Sequence, residues 1–256
     1  MATLPVFPFV TVHAGPLTDG IAQEAAWLAQ AASRSRPLAH VWNGPPGFIV
    51  PRSYERRPAW QHACERSAAA GWPVQVRHSG GGLVPQGPGV LNLSLAWRGD
   101  PARGEGIDGT YRAFTDQLAL ALARLDIEAR AQAVEGSFCD GRYNLAIGGR
   151  KCLGTAQAWR RIEGVPVVLA HAVVIASADE HELTAAANQF EAACGGDLRY
   201  RAGALVSLAT AWREAHGGRA PPPGFDARVA EALARQFAQV VAPQVTEFSR
   251  DPDSNA

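Results

Sequence analysis

The sequence predicts an α+β fold, in which a mixed β-sheet is packed with helices. Segments that alternate between apolar and polar residues concentrate in the middle of the chain, and segments with helical spacing of apolar residues flank them. The chain has 256 residues, of which 47% are hydrophobic, so it can bury a sizeable core. We expect a single domain over residues 1–249, followed by a disordered polar tail over residues 250–256.

The first third of the chain is predicted to alternate strands with helices. Ile21, Ala25 and Leu28 recur on one face of the first helix, and Gly71 stops the second helix as a C-terminal glycine cap would. A turn sequence, Asn-Gly-Pro-Pro, separates the second strand from the third. The predicted strands begin with residues 7–13, 37–42, 47–51 and 74–76, and the predicted helices span residues 19–35 and 57–70.

The rest of the chain contains a cleanly alternating strand, a hairpin and further helices. In the alternating strand, Leu91, Leu93 and Leu95 face one way, and Asn92 and Ser94 face the other. The two glycines at 148 and 149 predict the hairpin turn, because glycine accepts the positive φ that such turns require. Strands are predicted over residues 90–97, 127–134, 142–147, 151–159 and 165–176, and helices over residues 111–125, 179–194, 204–216 and 225–241.

The overall composition excludes several classes of function. Lys+Arg and Asp+Glu are both 24, which gives no support for binding to nucleic acid. No apolar run is long enough to span a bilayer, and the N-terminus lacks the basic region of a signal peptide, so we expect a cytoplasmic protein with no membrane partner. The four cysteines form no Cys-x-x-Cys pair, and no spacing of potential ligands indicates a metal site.

The residues best suited to chemistry concentrate between positions 136 and 161. This stretch holds Cys139 and Lys151, which is the only lysine in the chain. A thiol and an amine held together at one end of a hairpin suggest acyl transfer, because a nearby cation favours the reactive thiolate. As an exposed strand lysine, Lys151 should contribute little stability, so Lys151→Ala is expected to leave the melting temperature nearly unchanged. Strict strand alternation would place Lys151, Leu153, Thr155 and Gln157 on one face, and Cys152, Gly154 and Ala156 on the other.

A glycine-rich segment, Arg-His-Ser-Gly-Gly-Gly over residues 77–82, follows a predicted strand. Its glycines allow a close approach of the backbone to a ligand, and its N–H groups can hold an oxyanion or a carbonyl oxygen. Arg77 would add positive charge. Taken alone the motif is a weak signal, because glycine triplets also occur in ordinary turns.

Three motifs occur in a characteristic order: residues 77–82, residues 89–95, and Gly149-Arg150-Lys151 followed by Gly154-Thr155-Ala156-Gln157. This order resembles the lipoate–protein ligase and octanoyltransferase family, which shares its catalytic domain with biotin–protein ligases. The resemblance covers roughly residues 7–208 and implies a class II biotin/lipoate–protein ligase-like catalytic domain. The loop over residues 137–143 looks most like the branch that moves an octanoyl or lipoyl group between carrier proteins through a cysteine.

The resemblance implies roles for particular residues and partners. Cys139 would be the nucleophile, and Lys151 matches the family's lysine. The donor would be an acyl carrier protein or an acylated lipoyl-domain protein, and no cofactor would be required. The acceptor would be a lysine of a lipoyl-domain protein, either the glycine-cleavage H protein or the E2 subunit of a 2-oxoacid dehydrogenase. The predicted substrate-binding residues are Arg77, Ser79, Gly80, Gly81, Gly82, Asn92, Gly154, Thr155, Ala156 and Gln157.

Alternative interpretations remain open at this point. Cys194 is the second candidate nucleophile, although its place on an apolar helix face favours a structural role, and His171 in an apolar strand is expected to be a core histidine. An ATP-dependent lipoate–protein ligase acting through lipoyl-AMP with Mg²⁺ is the second candidate activity, and a non-catalytic acyl binder is the third. Transfer is favoured over adenylation because Pro85 and Pro88, rather than a histidine, follow the glycine triplet.

Overall fold

The computed structural model describes residues 4–77, 80–100 and 106–238, which contain two β-sheets and six α-helices. The helices are α1 (Gly20–Arg34), α2 (Trp60–Ala69), α3 (Ile107–Ala123), α4 (Glu180–Ala193), α5 (Leu208–Ala215) and α6 (Phe225–Phe237). The strands are β1 (Thr11–Val12), β2 (Leu38–Trp42), β3 (Gly47–Pro51), β4 (Val74–Arg77), β5 (Val84–Gln86), β6 (Val90–Arg98), β7 (Arg130–Ala131), β8 (Leu145–Ile147), β9 (Arg150–Ile162) and β10 (Val165–Ile175).

The larger sheet has seven strands in the order β1-β2-β6-β10-β9-β8-β7, and the smaller sheet has three in the order β4-β3-β5. Strands β1 and β2 pair in parallel, as do β3 and β4, whereas the other pairs are antiparallel. The predicted α+β class with mixed pairing is therefore confirmed. The expectation of one sheet is incomplete, because the chain passes from the larger to the smaller sheet between β2 and β3.

The two faces of the larger sheet are covered by different elements. Leu91, Leu93 and Leu95 of β6 pack with apolar side chains of α3, α5 and α6, as the alternation predicts. The opposite face is covered by α1 and by the smaller sheet with α2 and α4. Burying each large apolar side chain contributes about 1.5–3 kcal/mol, so both layers stabilise the fold. None of the described helices has the length and apolar character needed to cross a membrane.

Three predicted strands are shorter than their alternation suggests. Residues 7–13 reduce to β1, residues 127–134 to β7, and residues 142–147 to β8. Loop hydrogen bonds replace the missing ladders: the Val134 N–H donates to Asp140 Oδ1 at 2.7 Å, and the Asn144 N–H donates to Gly141 O at 3.1 Å. The end of the helix predicted over 225–241 and the predicted tail lie outside the described residues.

Helix α1 presents a buried stripe to the larger sheet. Trp27, Leu28 and Ala31 of this stripe are buried, and Glu24 one turn earlier is only 5% exposed. The spacing of these positions is that of one helical face. A carboxylate is therefore carried into the protein interior by a stripe that is otherwise apolar. Asp19 caps the helix by accepting a hydrogen bond from the Ala22 N–H at 3.1 Å.

Candidate active site

A tight hairpin places Lys151 at the start of β9. Gly148 and Gly149 have φ values of 56° and 78°, the positive values that the predicted turn requires. Ala146 pairs with Lys151, whereas Leu145 pairs with Leu153, so Cys152 is an extra residue that creates a β-bulge. The hairpin is confirmed, but strict alternation along β9 fails at this extra residue.

The bulge changes which side chains of β9 share a face. Leu153 lies with Cys152 in the core beneath α3, whereas Lys151, Gly154 and Ala156 line a cavity on the opposite face. The predicted grouping of Lys151 with Leu153 is therefore wrong, because one inserted residue moves the later side chains to the other face. The prediction that Cys152 points into the core is confirmed.

Thr155 and Gln157, two further residues that were predicted to bind substrate, differ in their position relative to this cavity. Thr155 lines the cavity, and its Oγ1 donates to Tyr143 O at 2.7 Å. Gln157 is not among the lining residues, and its Nε2 donates to Ile107 O at 2.7 Å, at the start of α3. The geometry therefore gives Gln157 a contact with the helix rather than a place in the cavity.

The Lys151 side chain is buried, with 4% exposure. Its Nζ donates hydrogen bonds to Phe138 O and, at 3.2 Å, to Cys139 O. Burial lowers the pKa of Lys151 to about 8, while Cys139 and Asp140 act in the opposite direction. The expectation of an exposed strand lysine is wrong, because the loop that carries Cys139 covers this side chain and binds its amine through two carbonyl groups. An alanine side chain at Gly154 would place its Cβ 2.9 Å from Nζ, so glycine there makes room for the amine.

Cys139 lies in the loop that Lys151 contacts, and its backbone has an unusual conformation. Its φ is 48°, in the left-handed region that residues other than glycine rarely adopt. The Gly82 N–H donates to Cys139 Sγ at 3.2 Å, which stabilises negative charge on the sulfur. Such a conformation persists only where the surroundings hold it, and it is most frequent at functional sites.

The glycine loop fits closely around the sulfur. A Cβ at Gly81 would lie 2.6 Å from Cys139 Sγ, and Gly81 has a φ of 106°. A Cβ at Gly82 would meet Cys139 Cα at 3.4 Å, which is close to an ordinary contact. The glycine motif was predicted to approach a ligand, and in the structure it contacts Cys139, the candidate nucleophile. Ser79 and its neighbour His78 lie outside the described residues.

Arg77 holds this glycine loop from inside. It is 4% exposed, and its guanidinium donates to Ile49 O at 2.9 Å, to Gly80 O at 3.0 Å and to Gly82 O at 2.7 Å. Burial lowers its pKa, and Cys139 acts in the opposite direction. Arg77 lines the cavity as predicted, but two of these three hydrogen bonds fix the glycine loop that contacts the sulfur.

Asn144 was not predicted, although it ties the cysteine loop to β9. Its Nδ2 donates to Cys139 O at 3.0 Å, and its Oδ1 accepts from the Thr155 N–H at 3.2 Å. It is 2% exposed and lines the cavity. The interpretation of residues 142–147 as a strand hid this role, because the strand begins only at Leu145.

A single cavity joins these groups. The cysteine loop lies at one end of the cavity, and Glu24 of α1 and His171 of β10 lie at the other. The residues that line the cavity between these ends are mainly apolar. Asn92 lines it as predicted, and its amide exchanges hydrogen bonds of 3.2 and 2.8 Å with Gln86. The lining residues are Ile21, Glu24, Trp42, Ile49, Arg77, Val84, Pro85, Val90, Asn92, Phe138, Cys139, Asn144, Lys151, Gly154, Thr155, Ala156, His171, Val173, Ile175 and Leu183.

Neither Glu24 nor His171 was predicted to belong to the site. His171 was expected to be a core histidine, but it lines the cavity, and its Nδ1 lies 3.1 Å from Glu24 Oε1. A sequence signal existed for Glu24, because it interrupts the apolar stripe of α1. Within the described ranges, no three His, Cys, Asp or Glu side chains are grouped closely enough to hold a metal ion.

The other cysteines are placed for packing. Cys194 ends α4 within the apolar cluster around the smaller sheet, and Cys152 lies in the core of the larger sheet. Burial raises the pKa of Cys194, and it raises the pKa of Cys152 to about 12. Burial, assisted by Cys194, likewise raises the pKa of Cys64 to about 11. None of these residues lines the cavity that holds Cys139.

Comparison with known proteins assigns this arrangement to a family. The family model of the lipoyl protein ligase A/B catalytic domain matches residues 19–196. The chain belongs to this family. It is therefore an enzyme of the lipoate ligase and octanoyltransferase family, as the order of motifs indicates.

Individual relatives support this membership over most of the chain. An uncharacterised protein from Cupriavidus necator is 40% identical over 250 residues, covering 93% of this chain and 99% of the relative. An octanoyl-[GcvH]:protein N-octanoyltransferase from Kyrpidia tusciae is 31% identical over 201 residues, covering 76% of this chain and 69% of the relative.

The solved structures show the same fold. The structure of a bi-partite lipoate protein ligase from Thermoplasma acidophilum superposes with a TM-score of 0.62 at 18% identity, covering 91% of this chain and 83% of that chain. The lipoate–protein ligase-like architecture implied by the sequence is thereby confirmed.

Proposed function

We propose that this enzyme transfers an octanoyl or lipoyl group onto a lysine of a lipoyl-domain protein through a thioester on Cys139. The observation that carries the proposal is the hydrogen bond from the Gly82 N–H to Cys139 Sγ at 3.2 Å, in a loop whose carbonyl groups bind the buried Lys151. A thiol, a fixed N–H donor and a buried cation facing one apolar cavity form a site suited to acyl transfer.

In the first step, Cys139 Sγ attacks the carbonyl carbon of the acylated donor. A carbon–sulfur bond forms, the bond to the donor carrier breaks, and the carrier leaves with a proton. In the second step, the neutral amine of the acceptor lysine attacks the thioester, so a carbon–nitrogen bond forms, the carbon–sulfur bond breaks, and Sγ leaves as a thiol with the proton that the amine loses. The reaction exchanges one acyl bond for another and needs no nucleotide.

Lys151 acts mainly through its charge and its two carbonyl partners. Its ammonium binds Phe138 O and Cys139 O, which holds the loop with Cys139 at positive φ. The same charge stabilises the thiolate and the oxyanion that develops during attack. Arg77 and Asn144 position the two loops around the sulfur.

The proposed partners follow from the chemistry and from the relatives. The Kyrpidia tusciae relative is named for octanoylated GcvH and a protein, so we propose an acylated carrier as donor and a lipoyl-domain protein as acceptor. An acyl carrier protein is the alternative donor, and the glycine-cleavage H protein and a 2-oxoacid dehydrogenase E2 are the candidate acceptors. The Cupriavidus necator relative is uncharacterised and adds no activity.

Intact mass spectrometry tests the nucleophile. After incubation with an octanoylated carrier protein, the enzyme should gain the mass of one octanoyl group, and hydroxylamine should remove it. Cys139→Ala should abolish the adduct, whereas Cys194→Ala should retain it. An adduct that persists in Cys139→Ala but disappears in Cys194→Ala would assign the nucleophile to Cys194.

A two-protein assay tests the class of reaction. Purified enzyme, acylated donor and lipoyl-domain acceptor should give acylated acceptor without ATP or Mg²⁺. The same enzyme with free lipoate, ATP and Mg²⁺ but no acylated donor should give none. Activity only in the second mixture would identify an ATP-dependent ligase and would reduce Cys139 to a bystander.

A further inference from the structure

A fully buried carboxylate lies behind the cysteine loop, outside the cavity. Glu191 of α4 is 0% exposed. Its Oε1 accepts hydrogen bonds from the hydroxyl groups of Tyr54 and, at 2.9 Å, Tyr200, and its Oε2 accepts from Arg57 Nη1 at 2.6 Å. None of these four residues lines the cavity, so the proposed transfer step leaves their arrangement unexplained.

Stability alone does not account for this buried charge. Moving a carboxylate and a guanidinium out of water costs free energy that their attraction often does not recover, and well-packed apolar side chains in the same place are often as stable. What the cluster supplies is direction, because each hydrogen bond requires a defined distance and angle. Burial raises the pKa of Tyr54 to about 12 and also raises the pKa of Tyr200, with Glu191 acting in the same direction. Both phenols therefore stay neutral donors, and the carboxylate fixes their orientation.

Tyr200 connects this cluster to the cysteine loop. Its main chain is attached to α4, because its N–H donates to Asn188 Oδ1 at 2.8 Å and its carbonyl oxygen accepts from Asn188 Nδ2 at 2.9 Å. Its hydroxyl is attached to the same helix through Glu191. Between these two attachments, the Tyr200 ring packs edge to face on Phe138, with 4.8 Å between the ring centroids. The ring is thus a fixed support for the residue that precedes Cys139.

The next residue, Arg201, binds the same loop through its backbone. The Arg201 N–H donates to Gly136 O at 2.9 Å, and Arg201 Nη2 donates to Glu135 O at 2.7 Å. A Cβ at Gly136 would lie 2.7 Å from Arg201 Nε, so the two segments are in close contact. From another direction, Lys151 Nζ donates to Phe138 O. The cysteine loop is therefore held from two sides.

We propose that Glu191 is a positioning residue for acyl transfer, which acts through Tyr200 and Phe138 to hold Cys139 in its reactive conformation. This inference rests on the proposed role of Cys139 as the nucleophile. The φ of 48° at Cys139 persists only while the surroundings hold it, and a displacement of about 1 Å in an active site can reduce a rate by about a hundredfold. Release of the Tyr200 ring removes the support on one side of the loop. The sulfur should then react more slowly, while binding of the donor is preserved.

Two conservative variants form a matched pair. Tyr200→Phe and Tyr54→Phe each remove one hydroxyl group that donates to Glu191 Oε1, and both tyrosines are 5% exposed. The free energy of unfolding should therefore fall by similar amounts in the two variants. Their neighbours differ, because the Tyr200 ring packs on Phe138 and the Tyr54 ring packs on Phe190 of α4. A role in stability alone predicts equal kinetic effects, whereas positioning predicts unequal ones.

The two-protein assay and urea unfolding measure these quantities. The kcat of transfer should fall by about tenfold in Tyr200→Phe, whose ring loses the bond that fixes its orientation, and by less than about twofold in Tyr54→Phe. The KM for the acylated donor should stay within about twofold of the wild type in both, because neither residue lines the cavity. Equal losses of kcat in the two variants, or wild-type kcat in Tyr200→Phe, would overturn the proposal.

Variants of Glu191 test whether the carboxylate acts through Tyr200. Glu191→Gln keeps an oxygen that can accept from both hydroxyl groups, so it should retain more of the kcat than Glu191→Ala, which releases both. The double variant Glu191→Ala with Tyr200→Phe should have the kcat of Glu191→Ala, because two changes in one network are not additive. A further loss in the double variant would contradict the proposed connection. If Glu191→Ala does not fold, the matched tyrosine pair still decides.

Alkylation of the thiol separates this inference from the proposed reaction. If no donor acylates Cys139, the proposed function fails, and the loop is then probed with iodoacetamide, with the modified Cys139 peptide quantified by mass spectrometry. A rate that changes by about threefold or more in Tyr200→Phe but not in Tyr54→Phe would still support positioning of the thiol. Equal rates in the wild type and both variants would refute it.

Discussion

Cys139 is partly buried and Cys194 is buried, yet the groups that surround the two thiols are different. Cys194 continues a helix with a φ of −74° and packs within an apolar cluster, with the Arg57 guanidinium beside its thiol. Cys139 lies in a loop with a φ of 48°, its sulfur accepts a backbone N–H, and its carbonyl oxygen accepts from Lys151 and Asn144. Burial alone therefore does not distinguish a reactive thiol from a structural one. The two thiols differ in that Cys139 has a backbone N–H donor to its sulfur and a positive φ.

Replacing Lys151 should have the largest effect on this difference. Lys151→Met removes the cation while filling a similar volume, so acyl transfer should fall by about a hundredfold or more, the range found when one group that stabilises an oxyanion is removed. The free energy of unfolding at pH 7 should stay within about 1 kcal/mol of the wild type, because relief of a buried charge offsets the unpaired carbonyls. Single-turnover kinetics and urea unfolding measure both quantities.

Arginine at this position is the matched control for charge. Lys151→Arg keeps a cation, but its larger planar fork does not fit beside Gly154, where the space around Nζ is already limiting. It should therefore restore less than about a tenth of the activity. Full activity in either variant would show that the ammonium has no part in transfer.

The glycine loop offers a second and smaller test. Gly81→Ala places a Cβ 2.6 Å from Cys139 Sγ at a φ of 106°, so adduct formation should slow by about ten- to a hundredfold, as expected for a displacement of about 1 Å in an active site. Gly82→Ala has an ordinary φ and its tightest contact is 3.4 Å, so its loss should be several times smaller. The rate of octanoyl adduct formation, followed by mass spectrometry, should rank the two variants in this order. The reverse order would mean that the sulfur does not react from this position.

The sequence was sufficient to predict the fold class, the hairpin and the meeting of Cys139 with Lys151, whereas the glycine loop was expected to approach a ligand rather than the sulfur itself. These features follow from local rules: glycines accept positive φ, alternation shows strands, and motif order indicates the family. The same rules failed at Cys152, because a β-bulge inserts one residue without any change in composition. That single insertion moved Leu153 to the core and placed Gly154 and Ala156 on the cavity side with Lys151.

Contacts between residues that are distant in the sequence set a second limit on what the sequence alone can predict. Glu24 and His171 contact each other although they are 147 positions apart in the sequence. Strand order brings α1 and β10 together over the same face, and no local pattern encodes that order. A charged residue in an apolar helical stripe was the one available hint, and it applies to Glu24 alone.

A titration of Lys151 tests whether its cation is held in the interior. The pKa is lowered from the ordinary 10.5 to about 8 by burial, and Lys151 is the only lysine in the chain, so lysine labelled at Cε gives one NMR signal. Between these two values the Lys151 position binds more protons in the unfolded chain, so its contribution to the free energy of unfolding should rise with pH, by up to about 3 kcal/mol at 1.36 kcal/mol per unit. The buried cysteines act in the opposite direction in this range, so the rise is measured as the difference between the wild type and Lys151→Met at each pH. A signal that titrates near 10.5 would contradict the burial.

The smallest effect is expected at the structural cysteine. Cys194→Ala removes a sulfur from an apolar cluster, so the free energy of unfolding should fall by about 1 kcal/mol, the size typical of a small loss of buried volume. The rate of acyl transfer should stay within about twofold of the wild type, because the residue does not line the cavity and its thiol is stabilised in the neutral form by burial. Urea unfolding and the two-protein assay give the two numbers for the same preparation. Loss of transfer without loss of stability would mean that Cys194, rather than Cys139, carries the acyl chain. It would show that a thiol at the end of a buried helix can be the nucleophile.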